Sequence, residues 1–193
     1  MRISYATQND GKLISLQRDL KQYNIVVSQV NMDIPEPRSS DVQEIAQAKI
    51  QYAFDRLKQP IVVSDAGFYI HSLKGFPRAF VNFALETIDL EGMLTLVEGK
   101  ERTCEFRECL AYLDTSLSEP KYFIGHVPGT IAKQPRGEMQ DHLWSRLGLI
   151  FIPDGADKTL GEMTGEEYTA WRSKWRDKVA AGHLFGEWIT NRP

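Results

Sequence analysis

Three charged residues stand where their types are out of place unless something answers them. Asp65 follows the apolar run Ile61-Val62-Val63, within Val63-Ser64-Asp65-Ala66-Gly67-Phe68. That run has the composition of a buried strand. It is expected to end at Ser64–Gly67, which puts an acid at the carboxyl end of a core strand, where open α/β sheets place their ligands. Gly67 lets the backbone turn there or be closely approached. Asp65 as a mere cap on a turn is the bland alternative. Functional groups concentrate on loops held by rigid strands, which weighs against it; and Phe68, Tyr69, Phe76, Phe80 and Phe83 are more aromatics than a solvated loop needs. Lys12 opens a predicted helix carrying Leu13, Leu16, Leu20 and Tyr23, just after Thr7-Gln8-Asn9-Asp10-Gly11. A cation is disfavoured at the positive end of a helix dipole. A phosphate on the free N–H groups there would resolve the oddity, but by spacing alone a lysine turned to water is the favoured reading. Asn9 or Asp10 can cap this helix. Lys49 lies on the apolar stripe Val42, Ile45, Ala46, Ile50, Ala53, Phe54, Leu57 of a helix predicted over 41–58. A lysine on such a face either runs its stem out to water or reaches a buried anion. The pattern leaves both open. Ser40 or Asp41 can cap this second helix, and Ser40 with Gln43 has capping-box spacing.

The bulk of the chain sets limits on what those residues could serve. Its 193 residues, 42% hydrophobic and 25% charged, suffice for one domain spanning 1–193. A net charge of −3 argues against a broad nucleic-acid surface, though local lysines could hold a small anion. No apolar run approaches the roughly 20 residues of a membrane span. Met1-Arg2-Ile3-Ser4-Tyr5 enters a strand pattern without a signal peptide's apolar region. Cys104 and Cys109, five apart in a predicted strand, face opposite ways, which argues against a mutual disulfide. A reducing cytoplasm fits.

Around the three residues the pattern predicts strands at 2–6 and 24–30 and helical segments at 77–87 and 89–98. Two longer strands follow, at 102–114 and 120–127, joined by a hairpin loop at Ser116–Pro120. In the first of these Thr103, Glu105, Arg107, Cys109 and Ala111 alternate with Cys104, Phe106, Glu108, Leu110 and Tyr112. Its acids and cysteines match no zinc spacing and read as strand residues. Residues 132–158 are loop-rich, with a short core strand at Leu149–Ile152 and Trp144 as packing. A helix over 164–180 carries Tyr168, Trp171, Trp175 and Val179 as a core stripe. Its Arg172 and Arg176 read as a solvated or paired face. An apolar segment, 183–190, ends the chain.

The stretch V-S-D-A-G-F, followed by G-F-P and F-V-N-F, resembles the signature of the inosine triphosphate pyrophosphatase family. The turn Thr7-x-Asn9-x-x-Lys12 resembles that family's phosphate-binding pattern. Asp33-Ile34-Pro35-Glu36 and Glu44-Ile45-Ala46-Gln47-Ala48-Lys49 resemble two further motifs, and the likeness covers roughly residues 2–165. It implies an α/β fold, a long mixed β-sheet flanked by helices, in two lobes around a central cleft. It also implies Mg²⁺-dependent hydrolysis of nucleoside triphosphates, deaminated purines such as ITP, dITP and XTP, to monophosphate and pyrophosphate. Asp65, Lys12 and Lys49 would be catalytic, and Glu36 and Asp65 would hold the metal. Thr7, Asn9, Lys12, Lys49 and Ala66 would touch substrate, and the chain would form a homodimer. Several positions depart from the family pattern. Ser15 stands where a glutamate is common, Ser64 where a second acid is usual, and Arg78 where glycine follows G-F-P. Residues 146–151 lack the expected aspartate, and Tyr168 and Arg172-Ser173-Lys174 replace a lysine and a Ser-His-Arg triplet. The triphosphate end therefore looks kept and the purine-reading end rebuilt. Arg78, Arg172, Lys174 and Arg176 are candidates for the lost contacts, with Arg172 and Lys174 counted as substrate-binding. The alternative is a nucleotide-binding protein of the same fold that has lost turnover.

Overall fold

The computed structural model describes residues 1–176 and 179–192, with the side chains of Trp175 and Arg176 outside that description. Strand β1 (Arg2–Ala6) leads into helix α1 (Asp10–Leu20). Asn9, in an extended conformation, caps α1 by accepting a hydrogen bond from the Lys12 N–H at 2.9 Å. Strand β2 (Val26–Val30) runs parallel to β1, from Arg2↔Val26 to Ala6↔Val30. Asp41 caps helix α2 (Val42–Leu57), accepting from Gln43 N–H at 2.8 Å. Ser39, rather than Ser40, closes the turn before it. Its hydroxyl donates to Glu44 at 2.7 Å and accepts from the Asp41 N–H at 3.0 Å.

The central strand is longer than its apolar run. Strand β3 spans Ile61–Ile70 and passes through Asp65 and Gly67 without turning. It pairs parallel with β1 at Ser4↔Ile61 and Tyr5↔Val62, so Ser64 and Asp65 lie just past the end of that pairing. A two-residue strand, β4 (Pro77–Arg78), pairs antiparallel with β3 at Phe68↔Arg78 and Tyr69↔Pro77. Of the two uses foreseen for Gly67, close approach is the one realised. A Cβ there would lie 2.7 Å from the Arg78 carbonyl oxygen. Gly67→Ala should therefore lower the melting temperature, at a cost of about 1–3 kcal/mol for forcing two strand backbones apart. Arg78 itself has φ +56°, which explains why glycine suits that position. An arginine there accepts about 1–2 kcal/mol of strain.

Helix α3 (Val81–Thr87) starts four residues later than the pattern suggested, because 77–78 is strand, and α4 (Asp89–Leu96) follows. Strand β5 (Thr103–Leu113) matches expectation. Strand β6 (Lys121–Ile131) runs beyond 127 to pair antiparallel with β7 (Phe151–Pro153), Gly129↔Pro153 to Ile131↔Phe151. The short core strand thus begins at Phe151, and Arg146–Leu149 forms a 3₁₀ turn instead. Helix α5 (Gly165–Trp171) ends earlier than expected and passes into a π-helical turn, Arg172–Arg176. Tyr168 and Trp171 are buried together, but Val179 is 40% exposed and lies outside that stripe. Helix α6 (Ala181–Thr190) ends the chain.

The strands form one mixed seven-stranded sheet in the order β2-β1-β3-β5-β6-β7, with β4 on β3 and helices flanking it. By contacts the chain divides into two compact units. The first is Met1–Ala66, Glu108–Gly125 and Val179–Pro193; the second is Gly67–Arg107 and His126–Lys178. Each has its own core, around Ile3, Tyr5, Leu16, Val62, Tyr112 and Phe185 in the first and Phe68, Ile70, Met93, Cys104 and Phe151 in the second. Among the described residues no helix is long and apolar enough to cross a membrane. Both cysteines are buried free thiols.

Candidate functional site

The first unit gathers the three misplaced residues. The apolar stripe of α2 carries Lys49 inward, leaving it 9% exposed. Its ammonium donates to Glu36 Oε1 at 2.7 Å and to Asp65 Oδ1 at 3.4 Å. Of the two outcomes open to a lysine on that stripe, it reaches buried negative charge. The two carboxylate oxygens share one nitrogen, so they can be no farther apart than the sum of those distances. The acids differ in kind. Asp65 is 8% exposed and fixed on β3, whereas Glu36 is exposed on the loop between β2 and α2, held by Pro35 and Pro37. Burial raises the Asp65 pKa above the usual carboxylate range, and it outweighs the opposing charges of Lys12 and Lys49.

Lys12 is fixed at its backbone by the Asn9 cap. Among the described residues its ammonium makes no hydrogen bond or ion pair. Burial lowers its pKa; Asp65 opposes that, the neighbouring Lys49 charge adds to it, and Glu108 and Glu36 oppose it more weakly. Thr7 Oγ1 accepts from the Asn9 N–H at 3.1 Å, and the Thr7 carbonyl accepts from Gln29 Nε2 at 3.1 Å. Thr7 and Asn9 therefore shape the turn that presents Lys12. Ala66 is half-buried beside Asp65 on β3. Ser64 hydrogen-bonds Tyr5 Oη at 2.6 Å, both groups buried. Two ammonium groups, two carboxylates and a helix N-terminus suit a polyphosphate with a divalent cation.

Other expectations fall elsewhere. Arg172 and Lys174 belong to the second unit. Arg172 is 2% exposed, which rules out the solvated alternative of the solvated or paired face expected there; Lys174 is exposed. The Arg176 side chain lies outside the described residues. Arg78 is exposed and donates to the Lys74 carbonyl at 3.1 Å. Trp144 packs on Phe106, with ring centroids 5.5 Å apart. Among the described residues no three His, Cys, Asp or Glu side chains cluster as a ready metal cage. Residue patterns missed Glu108 and Tyr5, both electrostatically coupled to this centre. The signal for Glu108 was present: it is an acid in the register Cys104, Phe106, Leu110, Tyr112.

Comparison with known proteins bears on the chain as a whole. The model of the Ham1 family matches residues 3–176. The chain belongs to the Ham1 family. Every site residue named from the sequence, Thr7 to Lys174, falls within that span of the Ham1 match. A Methanopyrus kandleri relative, named dITP/XTP pyrophosphatase, is 36% identical over 99% of this chain and 97% of its own. One of the same name from Thermococcus kodakarensis is 33% identical over 98% of this chain and 97% of its own. The solved structure of a HAM1 protein from Coxiella burnetii superposes with a TM-score of 0.80 over all of both chains. At 21% identity it speaks for the fold alone. The resemblance first read around Asp65 thus extends along nearly the whole Ham1 chain.

Proposed function

We propose that this chain hydrolyses deaminated purine nucleoside triphosphates, such as dITP, ITP and XTP, to the monophosphate and pyrophosphate. The observation that carries it is the Lys49 ammonium shared by Glu36 and Asp65, beside the unpaired Lys12 at the α1 N-terminus. The substrate class is supported by the names of the full-length relatives. Splitting a triphosphate between its α and β phosphorus atoms needs neutralised charge and an aligned water. Lys12 and Lys49 would stabilise charge on the phosphates and on the departing pyrophosphate. Asp65, whose burial raises its affinity for a proton, would orient the attacking water and take up its proton. Thr7 and Asn9 would hold the turn on which the phosphates rest, and the Ala66 backbone would line it.

A divalent cation fits the donor set. Glu36 and Asp65 offer two hard carboxylates and no soft ligand, the number Mg²⁺ takes when phosphate and water complete its shell. Bound there, Mg²⁺ would screen phosphate charge and acidify a water. For the base, the exposed Lys174 is better available than the buried Arg172. The free cysteines accord with a reducing cytoplasm, and the exposed Phe76, Phe80 and Phe83 accord with a homodimer.

The test is pyrophosphate release from a panel of standard and deaminated nucleoside triphosphates, with and without Mg²⁺. Release is expected from dITP, ITP and XTP well above dATP or dGTP, and only with the cation. Binding without release from any member of the panel would establish the alternative, a nucleotide-binding protein. The Ser64 hydroxyl, bonded to Tyr5 where an acid is usual, is the feature that favours it.

A further inference from the structure

On β5, Glu108 shares a sheet face with Leu110 and Tyr112, by the pleat's alternation. Those two residues pack in the first unit's core with Tyr5, Val62, Leu13 and Leu16. Lys12 stands one helical turn before Leu16 on α1. The lysine and the acid therefore stand one step above the same cluster, on the same side of the sheet. Ser64, two residues past Val62 on the neighbouring strand, faces that side too, and its hydroxyl is occupied by Tyr5. Glu108 is half-buried and, among the described residues, has no hydrogen bond or ion pair.

A half-buried carboxylate without a donor is costly unless another charge answers it. Lys12 is in the matching position. It is half-buried and faces a second ammonium, Lys49, whose own acids are Glu36 and Asp65. We propose that Glu108 is a positioning residue, a counter-charge that keeps Lys12 protonated to meet a polyphosphate. This deepens the reading above and rests on it for the identity of that polyphosphate. The charged and titratable groups facing Lys12 are Asp65 from β3, Lys49 from α2, Glu36 from the loop before it, Glu108 from β5 and the Tyr5 hydroxyl from β1. Asp65, Glu108 and Glu36 favour the charged lysine, whereas burial and Lys49 oppose it. Glu108 also pushes the Tyr5 hydroxyl upward, second only to burial, so both groups see its charge.

The test uses the whole chain without nucleotide, its lysine side chains isotope-labelled, titrated by NMR from neutral to strongly alkaline pH. Glu108→Gln should lower the Lys12 pKa by about half a unit to one unit, a three- to tenfold fall in proton affinity. Glu108→Asp, which keeps the charge on a shorter arm, should give a smaller shift in the same direction. It also serves if the glutamine variant folds poorly. The affinity for inorganic triphosphate, measured by calorimetry in chelator, should begin its alkaline decline at lower pH in Glu108→Gln. In a Lys12→Met background the Glu108→Gln substitution should no longer shift that decline. A Lys12 titration unmoved by either substitution, or moved with no change in triphosphate binding, overturns the proposal. Neither readout uses turnover. A chain that shows both shifts yet hydrolyses nothing would therefore remove the enzyme reading and leave this one standing.

Discussion

Asp65→Asn should cut pyrophosphate release by about 10²–10⁴-fold, the range expected when a positioned proton acceptor is lost. Asparagine keeps the shape of the side chain and its place beside Lys49, so affinity for inorganic triphosphate should hold or improve as a negative charge leaves. Stability should not suffer. The carboxylate is 8% exposed and burial works against its ionised form, so a neutral amide relieves that cost. Lys49 keeps Glu36 at 2.7 Å and is not left alone. The expected pattern is lost turnover at an unchanged or raised melting temperature. Turnover within about tenfold of the parent would mean that Asp65 takes no proton from the attacking water.

Lys49→Met should harm both stability and activity, with a pH dependence that identifies its cause. Removing the ammonium leaves Asp65 buried without the cation hydrogen-bonded to it, and breaking such a pair costs about 3–5 kcal/mol when both partners are enclosed. Glu36 is exposed and simply rehydrates, so the loss here should come nearer about 2–4 kcal/mol at neutral pH. The folded pKa of Asp65 already lies above its unfolded value. Such a group favours the folded state below the unfolded carboxylate range, and that advantage is lost as pH rises through the folded pKa. Without Lys49 the folded value climbs further. The gap between variant and parent should therefore close in acid, where Asp65 is protonated, and widen as pH rises. Urea midpoints measured across that window read this directly, and a gap constant with pH would place the damage in packing rather than charge. Pyrophosphate release should fall alongside, since one of the two ammonium groups facing the phosphates is gone.

How much of this was legible beforehand follows from which interactions are local. Lys49 and Asp65 could be found because each breaks an apolar pattern, and a charge in such a place has to be met by something. The Asn9 cap could be found because it is a bond across three residues. The true length of β3 could not. Ser64-Asp65-Ala66-Gly67 has the composition of a turn, and it continues as strand because β4, ten residues on, pairs with it at Phe68 and Tyr69. The break after Trp171 carries no proline or glycine to announce it. Glu108 was visible as an acid in an apolar register, but its relation to Lys12 depends on two distant elements sharing one core. Arg172 shows the limit of spacing arguments, for a polar residue one turn from another on a helix proved to be fully enclosed.

The two cysteines carry a practical corollary. Both are enclosed, and burial pushes the Cys109 thiol up to about 12 and that of Cys104 higher still. At physiological pH neither offers an appreciable thiolate, the species that alkylating reagents attack. A new cysteine engineered on the surface would thus be the preferred point of attachment for a maleimide dye, with no need to delete the native pair first.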